Sequence, residues 1–292
     1  MAADSLVLLG AAGQLGHELC ISLEQAGYAV TAFTRQQLDI SDLASVRQTL
    51  KQLQPRWIVN AAAYTAVDKA EQEPQLAQTI NCDLPGLLAE EALRMDAGLL
   101  HYSTDYVFNG RAVHPYVETD ATDPLSVYGR SKRDGELAVQ ATGARHVILR
   151  TSWVVGAHGQ NFLKTMLRLA QERDSLRVVA DQTGVPTAAD WLADTSLHAM
   201  RAVDQHGLNG LFHATPTGVT NWHAYAQYVI GQASALGWNL KATPESVQAI
   251  TTAEYPLPAA RPAYGLLDSR ALAGALRQPW PNWQQGVDRV LR

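Results

Sequence analysis

The apolar run from Ser5 to Leu9 leads directly into Gly10-Ala11-Ala12-Gly13-Gln14-Leu15-Gly16, and that loop opens a stretch in which Leu19, Leu23 and Ala26 recur at helical spacing. A strand, a glycine-rich turn and a helix in immediate succession are the first half of a βαβ unit, because glycine lets the backbone turn tightly and bring the helix back onto its strand. The rest of the N-terminal half repeats the rhythm. Tyr28 to Phe33, Trp57 to Asn60, Leu99 to Tyr102 and His146 to Arg150 read as further strands. Between them Leu43, Val46, Leu50 and Leu53 mark one amphipathic helix, and Leu76, Ile80, Leu84, Leu87 and Leu88 mark a longer one from Gln75 to Met95. This alternation predicts an α/β protein with a doubly wound parallel sheet and right-handed crossovers.

The pattern changes after Arg150. A helix near Asn161 to Gln171, a strand from Leu176 to Val179 that should join the sheet, and a helix from Ala188 to Val203 come next. Beyond Pro216 the chain is richer in Pro and Trp, with a helix from Trp222 to Leu236, a loop from Pro256 to Pro262 and a last amphipathic helix ending at Leu291. The expected division is therefore a dinucleotide-binding (Rossmann) domain over residues 1–150, extended by 176–213, and a smaller lobe over 151–175 and 214–292, in which Trp280 and Trp283 pack. A chain of 292 residues, 47% hydrophobic and 17% charged, can bury a core of that size.

The formal net charge of -5 supplies no basic stripe, which argues against nucleic acid or an anionic membrane as partner, so any anionic ligand must be held locally. Cys20 and Cys82 have no ligand spacing, against a zinc site or a disulfide framework. No apolar run approaches the ~20 residues of a membrane span, and Met-Ala-Ala-Asp lacks the pattern of a signal peptide. A cytoplasmic location is expected.

The glycine loop suits a pyrophosphate, whose charge would meet exposed amides and the positive end of the helix dipole. Gly10, Gly13, Gln14, Leu15 and Gly16 are thus candidate cofactor residues. After the second strand, where an acidic residue would favour a free ribose 2′-hydroxyl, stand Thr34-Arg35; a guanidinium there favours a 2′-phosphate and hence NADPH over NADH. The alternative is that Arg35 is a solvated loop charge. Asp39 and Ile40 should lie near the adenine.

Tyr128 and Lys132 stand four apart in a stretch, Ser126 to Thr142, that reads as a helix, so both project from one face. An ammonium beside a phenol is expected to stabilise the phenolate and lower its pKa, which would make Tyr128 a usable proton donor. The strand from Leu99 runs out into Ser103-Thr104-Asp105-Tyr106 at the carboxyl edge of the sheet, where open α/β folds bind ligands. Reduction of a carbonyl develops negative charge on its oxygen, and Ser103 or Thr104 could donate to it. Asp105 either caps a turn or orients hydroxyl groups of a ligand. His101, His146 and His213 lie in or beside strands and read as core or edge histidines without a role.

With these residues in view, the chain resembles the extended short-chain dehydrogenase/reductases, and within them the branch that reduces dTDP-4-dehydro sugars. The resemblance rests on Gly10 to Gly16, on Val59-Asn60-Ala61-Ala62-Ala63-Tyr64-Thr65-Ala66-Val67-Asp68, on His101 to Phe108, on Val127-Tyr128-Gly129 with Lys132, and on Leu149-Arg150-Thr151-Ser152-Trp153. Asn161-Phe162, Asp181-Gln182 with Pro186-Thr187, and Arg261-Pro262 extend it over nearly the whole chain. It implies reduction of the C4 ketone of dTDP-4-dehydro-L-rhamnose to dTDP-L-rhamnose, the last step of dTDP-rhamnose synthesis, with hydride from NADPH or NADH. By the same resemblance Tyr128 gives the proton, Lys132 anchors the nicotinamide ribose and Thr104 assists at the carbonyl oxygen. Ala62, Ala63 and Thr65 would line the cofactor, Asp105, Tyr106 and Trp153 would touch the sugar nucleotide, and Arg261 would meet its pyrophosphate.

Some members of that family dimerise through magnesium held by carboxylates. Glu18 and Asp190 stand at positions similar to two of them, but no acidic tail precedes Arg292, so no metal is expected and the chain is read as a monomer or homodimer. Arg35 also stands near where some members carry an acid. A 4-epimerase or a 4,6-dehydratase of the same fold is the nearest rival, although dehydratases resembling this site have Thr-Asp-Glu where this chain has Thr104-Asp105-Tyr106. A non-catalytic subunit, such as the regulatory β-subunit of methionine adenosyltransferase, is the rival of another class; it has no need of a Tyr128 proton donor.

Overall fold

The computed structural model describes residues 5–292. Six parallel strands form its central sheet: β1 (Ser5–Leu9), β2 (Ala29–Phe33), β3 (Trp57–Asn60), β4 (Gly98–Thr104), β5 (His146–Thr151) and β6 (Gly210–His213). Their order is β6-β5-β4-β3-β1-β2, so the chain leaves β1 to one side for β2 and resumes on the other side with β3. That reversal opens a crevice at the carboxyl ends of β1 and β3, into which the glycine loop runs.

Because side chains alternate along a strand, each face has its own core. Leu6, Leu8, Trp57, Leu100, Val147 and Leu149 face α1 (Gln14–Gln25) and the long helix Ala189–His206, which bring Leu19, Leu23, Leu192 and Met200. Val7, Leu9, Ile58, Leu99 and Ile148 face α2 (Leu43–Leu53), α3 (Leu84–Arg94) and α4 (Val127–Ala141) through Val46, Leu50, Leu87, Leu88 and Val139. The doubly wound architecture is as the pattern predicts.

Three local expectations are corrected. Strand Leu176–Val179 does not join the sheet; it pairs in parallel with Val247–Ile250, because Leu176 and Val178 turn into the lobe core with Val247, Tyr225 and Val229. Of 176–213, the helix Ala189–His206 and β6 extend the sheet domain while 176–179 belongs to the lobe, and the helix Arg270–Leu276, from the stretch expected in the lobe, also packs on the sheet core through Leu272. The helix expected from Gln75 to Met95 runs from Pro74 to Arg94 but is not regular, since a π turn at Thr79–Asp83 joins Pro74–Gln78 to α3. Pro85 has no N–H to offer the Asn81 carbonyl one turn back, and Gly135 of α4 lies against that carbonyl so closely that a Cβ would come within 2.0 Å. Trp280 packs edge-on against Trp191 of the sheet domain at 4.8 Å, whereas Trp283 is buried in the lobe. Among the described residues no helix is long and apolar enough to cross a membrane.

Candidate active site

The glycine loop is built for close approach. Gly10 has φ +85, and a Cβ on it would lie 2.7 Å from the Ala62 nitrogen; a Cβ on Gly16 would lie 2.1 Å from the Gly10 carbonyl oxygen. The loop and the Ala61–Tyr64 segment after β3 therefore touch backbone to backbone. Gly13 is the N-cap of α1 and offers no capping side chain, so the first-turn amides point outward without a protein partner from the cap. Leu15 packs on the sheet core, and the Gln14 carboxamide reaches into the lobe, accepting from Gly156 N–H at 3.0 Å and Asn161 Nδ2 at 2.8 Å. Arg35 and Asp39 are exposed beyond β2, with the Asp39 carboxylate held by the amide and hydroxyl of Ser41, while Ile40 packs on the core.

Helix α4 carries Tyr128 and Lys132 to the end of β4. Ser126 caps it by accepting from Gly129 N–H at 3.1 Å, and Glu71 accepts from Val127 N–H at 2.8 Å, which fixes the helix start under Tyr128. The Lys132 ammonium group lies inside, 2.6 Å from the Tyr102 carbonyl oxygen and 3.4 Å from His101 Nε2. Thr104 at the end of β4 receives Tyr106 N–H and donates to Asp105 Oδ1 at 3.1 Å. The Tyr106 ring meets Tyr128 edge-on at 5.5 Å. Thr104, Asp105, Tyr106, Tyr128 and Lys132 are thus brought into one cluster, whereas Ser103 is buried with its hydroxyl unpartnered.

Burial sets the proton affinities. It pushes the Tyr128 phenol up to about 12, with the Thr104 hydroxyl drawing it down and the Asp105 carboxylate adding to the rise. The expectation that Lys132 would lower this phenol is not met, because the ammonium faces Tyr102 and His101 instead of the phenol oxygen. Burial likewise pulls Lys132 down to about 8, opposed by Glu136 one turn along α4. Asp105, with little water contact, is pushed up to about 7, against the hydrogen bond from Thr104.

The lobe closes the other side. Arg261 reaches Asp68 with both terminal guanidinium nitrogens, at 3.1 and 2.7 Å, and Asp68 also accepts from Ala259 N–H. The loop that carries Arg261 is therefore pinned to the segment after β3. Trp153, at φ +44, stacks on Trp222 at 3.6 Å and is partly buried against the lobe core, so one face of its ring is committed to a protein contact. Glu18 sits with His17 and His158, ligand atoms within 4.8 Å of one another, while Asp190 is paired with Arg289. The two carboxylates singled out for magnesium therefore have different partners. A cavity of about 500 Å³ lined by His114, Thr215, Asp268 and Trp280 contains none of these residues.

A family model described as the RmlD substrate binding domain matches residues 4–292. The dTDP-4-dehydrorhamnose reductase of Salmonella typhimurium is 43% identical over 291 residues, covering 98% of this chain and 97% of its own. The chain belongs to the dTDP-4-dehydrorhamnose reductase family. The Bacillus subtilis spore coat polysaccharide biosynthesis protein SpsK is 38% identical over 287 residues, covering 98% of this chain and 96% of its own. Among solved structures, the Bacillus anthracis dTDP-4-dehydrorhamnose reductase in complex with NADP superposes with a TM-score of 0.89 at 34% identity, covering 98% of each chain. A UDP-glucose 4-epimerase from Brucella ovis, 18% identical with a TM-score of 0.81 over 99% of this chain and 97% of its own, shares the fold.

Within this member of the dTDP-4-dehydrorhamnose reductase family, several buried polar residues that organise the cluster are not evident from sequence spacing. Asn81 in the π turn accepts from Tyr64 N–H at 2.8 Å and donates to the Tyr64 carbonyl and to Ser131 on α4, tying the segment after β3 to the helix of Tyr128. Glu136 and Arg150 form a buried two-bonded pair at 2.8 and 2.7 Å, joining α4 to β5. Asp68 lies within a run that carried the resemblance, yet only the fold brings Arg261 to it.

Proposed function

We propose that the chain catalyses reduction of the C4 ketone of dTDP-4-dehydro-L-rhamnose to dTDP-L-rhamnose with NADPH, acting on a small sugar nucleotide in the cytoplasm. The convergence of Tyr128, Thr104 and Lys132 at the carboxyl end of β4, beside a glycine loop whose close contacts exclude side chains, carries this reading. The uncapped N-terminus of α1 and the bare backbone at Gly10 and Gly16 fit a dinucleotide pyrophosphate, with Ala62, Ala63 and Thr65 along its other side. When bound, the nicotinamide supplies hydride to the ketone carbon. Arg35 would favour a 2′-phosphate.

Tyr128 donates its phenolic proton to the C4 oxygen. A phenol near 12 stays protonated at neutral pH yet remains a stronger acid than the alcohol it creates, so the transfer runs downhill. Thr104 offers a second hydroxyl to the developing oxyanion, in a site where low polarity strengthens the interaction. Lys132 orients the nicotinamide ribose. Asp105 and Tyr106 face the sugar, and Arg261, oriented by Asp68, offers its remaining N–H groups to the substrate diphosphate, with Trp153 at the edge of the lobe beside them.

The test mixes purified protein, NADPH and the dTDP-4-keto sugar and follows the absorbance of the reduced nicotinamide while the product sugar is identified. Stoichiometric NADPH consumption with formation of the 4-hydroxy sugar is expected. Folded protein that consumes none, or that inverts C4 of a hydroxylated sugar nucleotide without net consumption, refutes the reading.

A further inference from the structure

His101 has no role by sequence, yet it is 1% exposed and sits between two polar side chains at the heart of the cluster. Asn60 at the end of β3 is its neighbour in the parallel register, with Nδ2 3.1 Å from His101 Nδ1. On the other side Lys132 Nζ lies 3.4 Å from Nε2. The Asn60 carbonyl oxygen accepts from the Ala62 amide at 3.3 Å, in the segment that touches Gly10.

Counting protons along this row gives two arrangements. With the Asn60 oxygen on Ala62 N–H, its NH2 group faces Nδ1, which must accept; the single ring proton then sits on Nε2 and points at Lys132. A proton there is compatible with a neutral amine, which accepts it, and opposes an ammonium. For the ammonium to donate to Nε2, the ring proton must move to Nδ1 and the Asn60 amide must turn over, releasing Ala62 N–H. The other ionisable groups near the row are Glu136 on α4, whose carboxylate is held by Arg150 of β5, and His146 at the start of β5. Neither faces Nε2 in place of the lysine.

We propose that His101, oriented by Asn60, is a positioning residue for Lys132 whose ring tautomer sets the lysine's charge state. The proposal rests on the reductase reading only for its kinetic arm. Lysine protonation is then linked to the Ala62 amide beside the glycine loop. The ring itself stays neutral, since burial and the neighbouring lysine hold its pKa well below 6.5.

In the wild-type protein, ¹⁵N NMR of histidine-labelled samples should show His101 passing from the Nε2–H to the Nδ1–H form as pH falls through the lysine titration near 8. This readout needs no substrate, so it is separate from failure of the reductase reading. Asn60→Asp presents two accepting oxygens, to Ala62 N–H and to Nδ1–H, and so locks Nε2 as an acceptor for the ammonium. His101→Gln can offer a carbonyl oxygen to Nζ. Both variants should move the alkaline limb of kcat/KM up by about one pH unit. A His101 tautomer that does not change across that range overturns the proposal, as does an unmoved limb in both folded variants; should the variants not fold, the wild-type tautomer alone decides.

Discussion

Replacing Asp105 with asparagine removes an ionisable group whose uncharged form the fold favours. Its pKa is raised from the ordinary 3.8 to about 7, so the folded protein binds a proton more tightly here than the unfolded chain does. A raised carboxyl pKa means that stability is lost as pH climbs from the unfolded value through the folded one. At about 1.4 kcal/mol per pKa unit, the full penalty above pH 7 is roughly 4 kcal/mol, of which less than half is present at pH 5. The asparagine side chain would keep the shape and the acceptor for Thr104 without that penalty. His101 and His213, held neutral by burial, act in the opposite direction as pH rises through this window, so the diagnostic quantity is the difference between variant and wild type. Urea unfolding at pH 5 and pH 8 should show Asp105→Asn gaining about 2.5 kcal/mol more over wild type at the higher pH, a shift of roughly 4 °C in Tm for a chain this long. A difference that is the same at both pH values would refute the burial argument for Asp105.

Tyr128→Phe should keep NADPH affinity, read by nucleotide fluorescence, and lose about 10²–10⁴ in kcat, because only the proton donor is removed; turnover at the wild-type rate would assign the proton elsewhere. Gly16→Ala pushes a methyl group into the Gly10 carbonyl and should weaken NADPH binding at least about tenfold while the thermal unfolding stays cooperative. Arg35→Ala should lower the ratio of kcat/KM for NADPH over NADH; an unchanged ratio leaves Arg35 as a solvated charge, consistent with its exposure.

The elements of the sheet domain were legible because their signals are local. Leu6 and Leu8 alternate with Val7 and Leu9 in one short run, and the glycines follow at once. Signals that depend on a partner distant in sequence were not legible in the same way. Leu176 to Val179 has the pattern of a buried strand, and nothing in it distinguishes joining the central sheet from pairing with Val247–Ile250. The π turn within the helix after Gln75 has a local cue, Pro85, but it also depends on the Asn81 carbonyl lying against Gly135, a contact with another helix.

The same distinction runs through the cluster. Tyr128 and Lys132 were found by a spacing of four, which puts both on one face of a helix but does not say that they touch, and in the fold they do not act on each other as a simple ion–phenol pair. Lys132 points at β4, where it meets a carbonyl and an imidazole of that strand, and its proton affinity is governed by burial, opposed by Glu136. The phenol is governed by burial, Thr104 and Asp105. Chemistry that spacing assigns to two residues is therefore divided between two small environments sharing one helix, and His101 and Asn60, which carry no motif of their own, belong to the lysine's half. Substitutions at Asn60 should accordingly change the lysine limb of the pH profile and leave the proton-donor step of Tyr128 intact, a separation that a direct Tyr128–Lys132 pair would not permit.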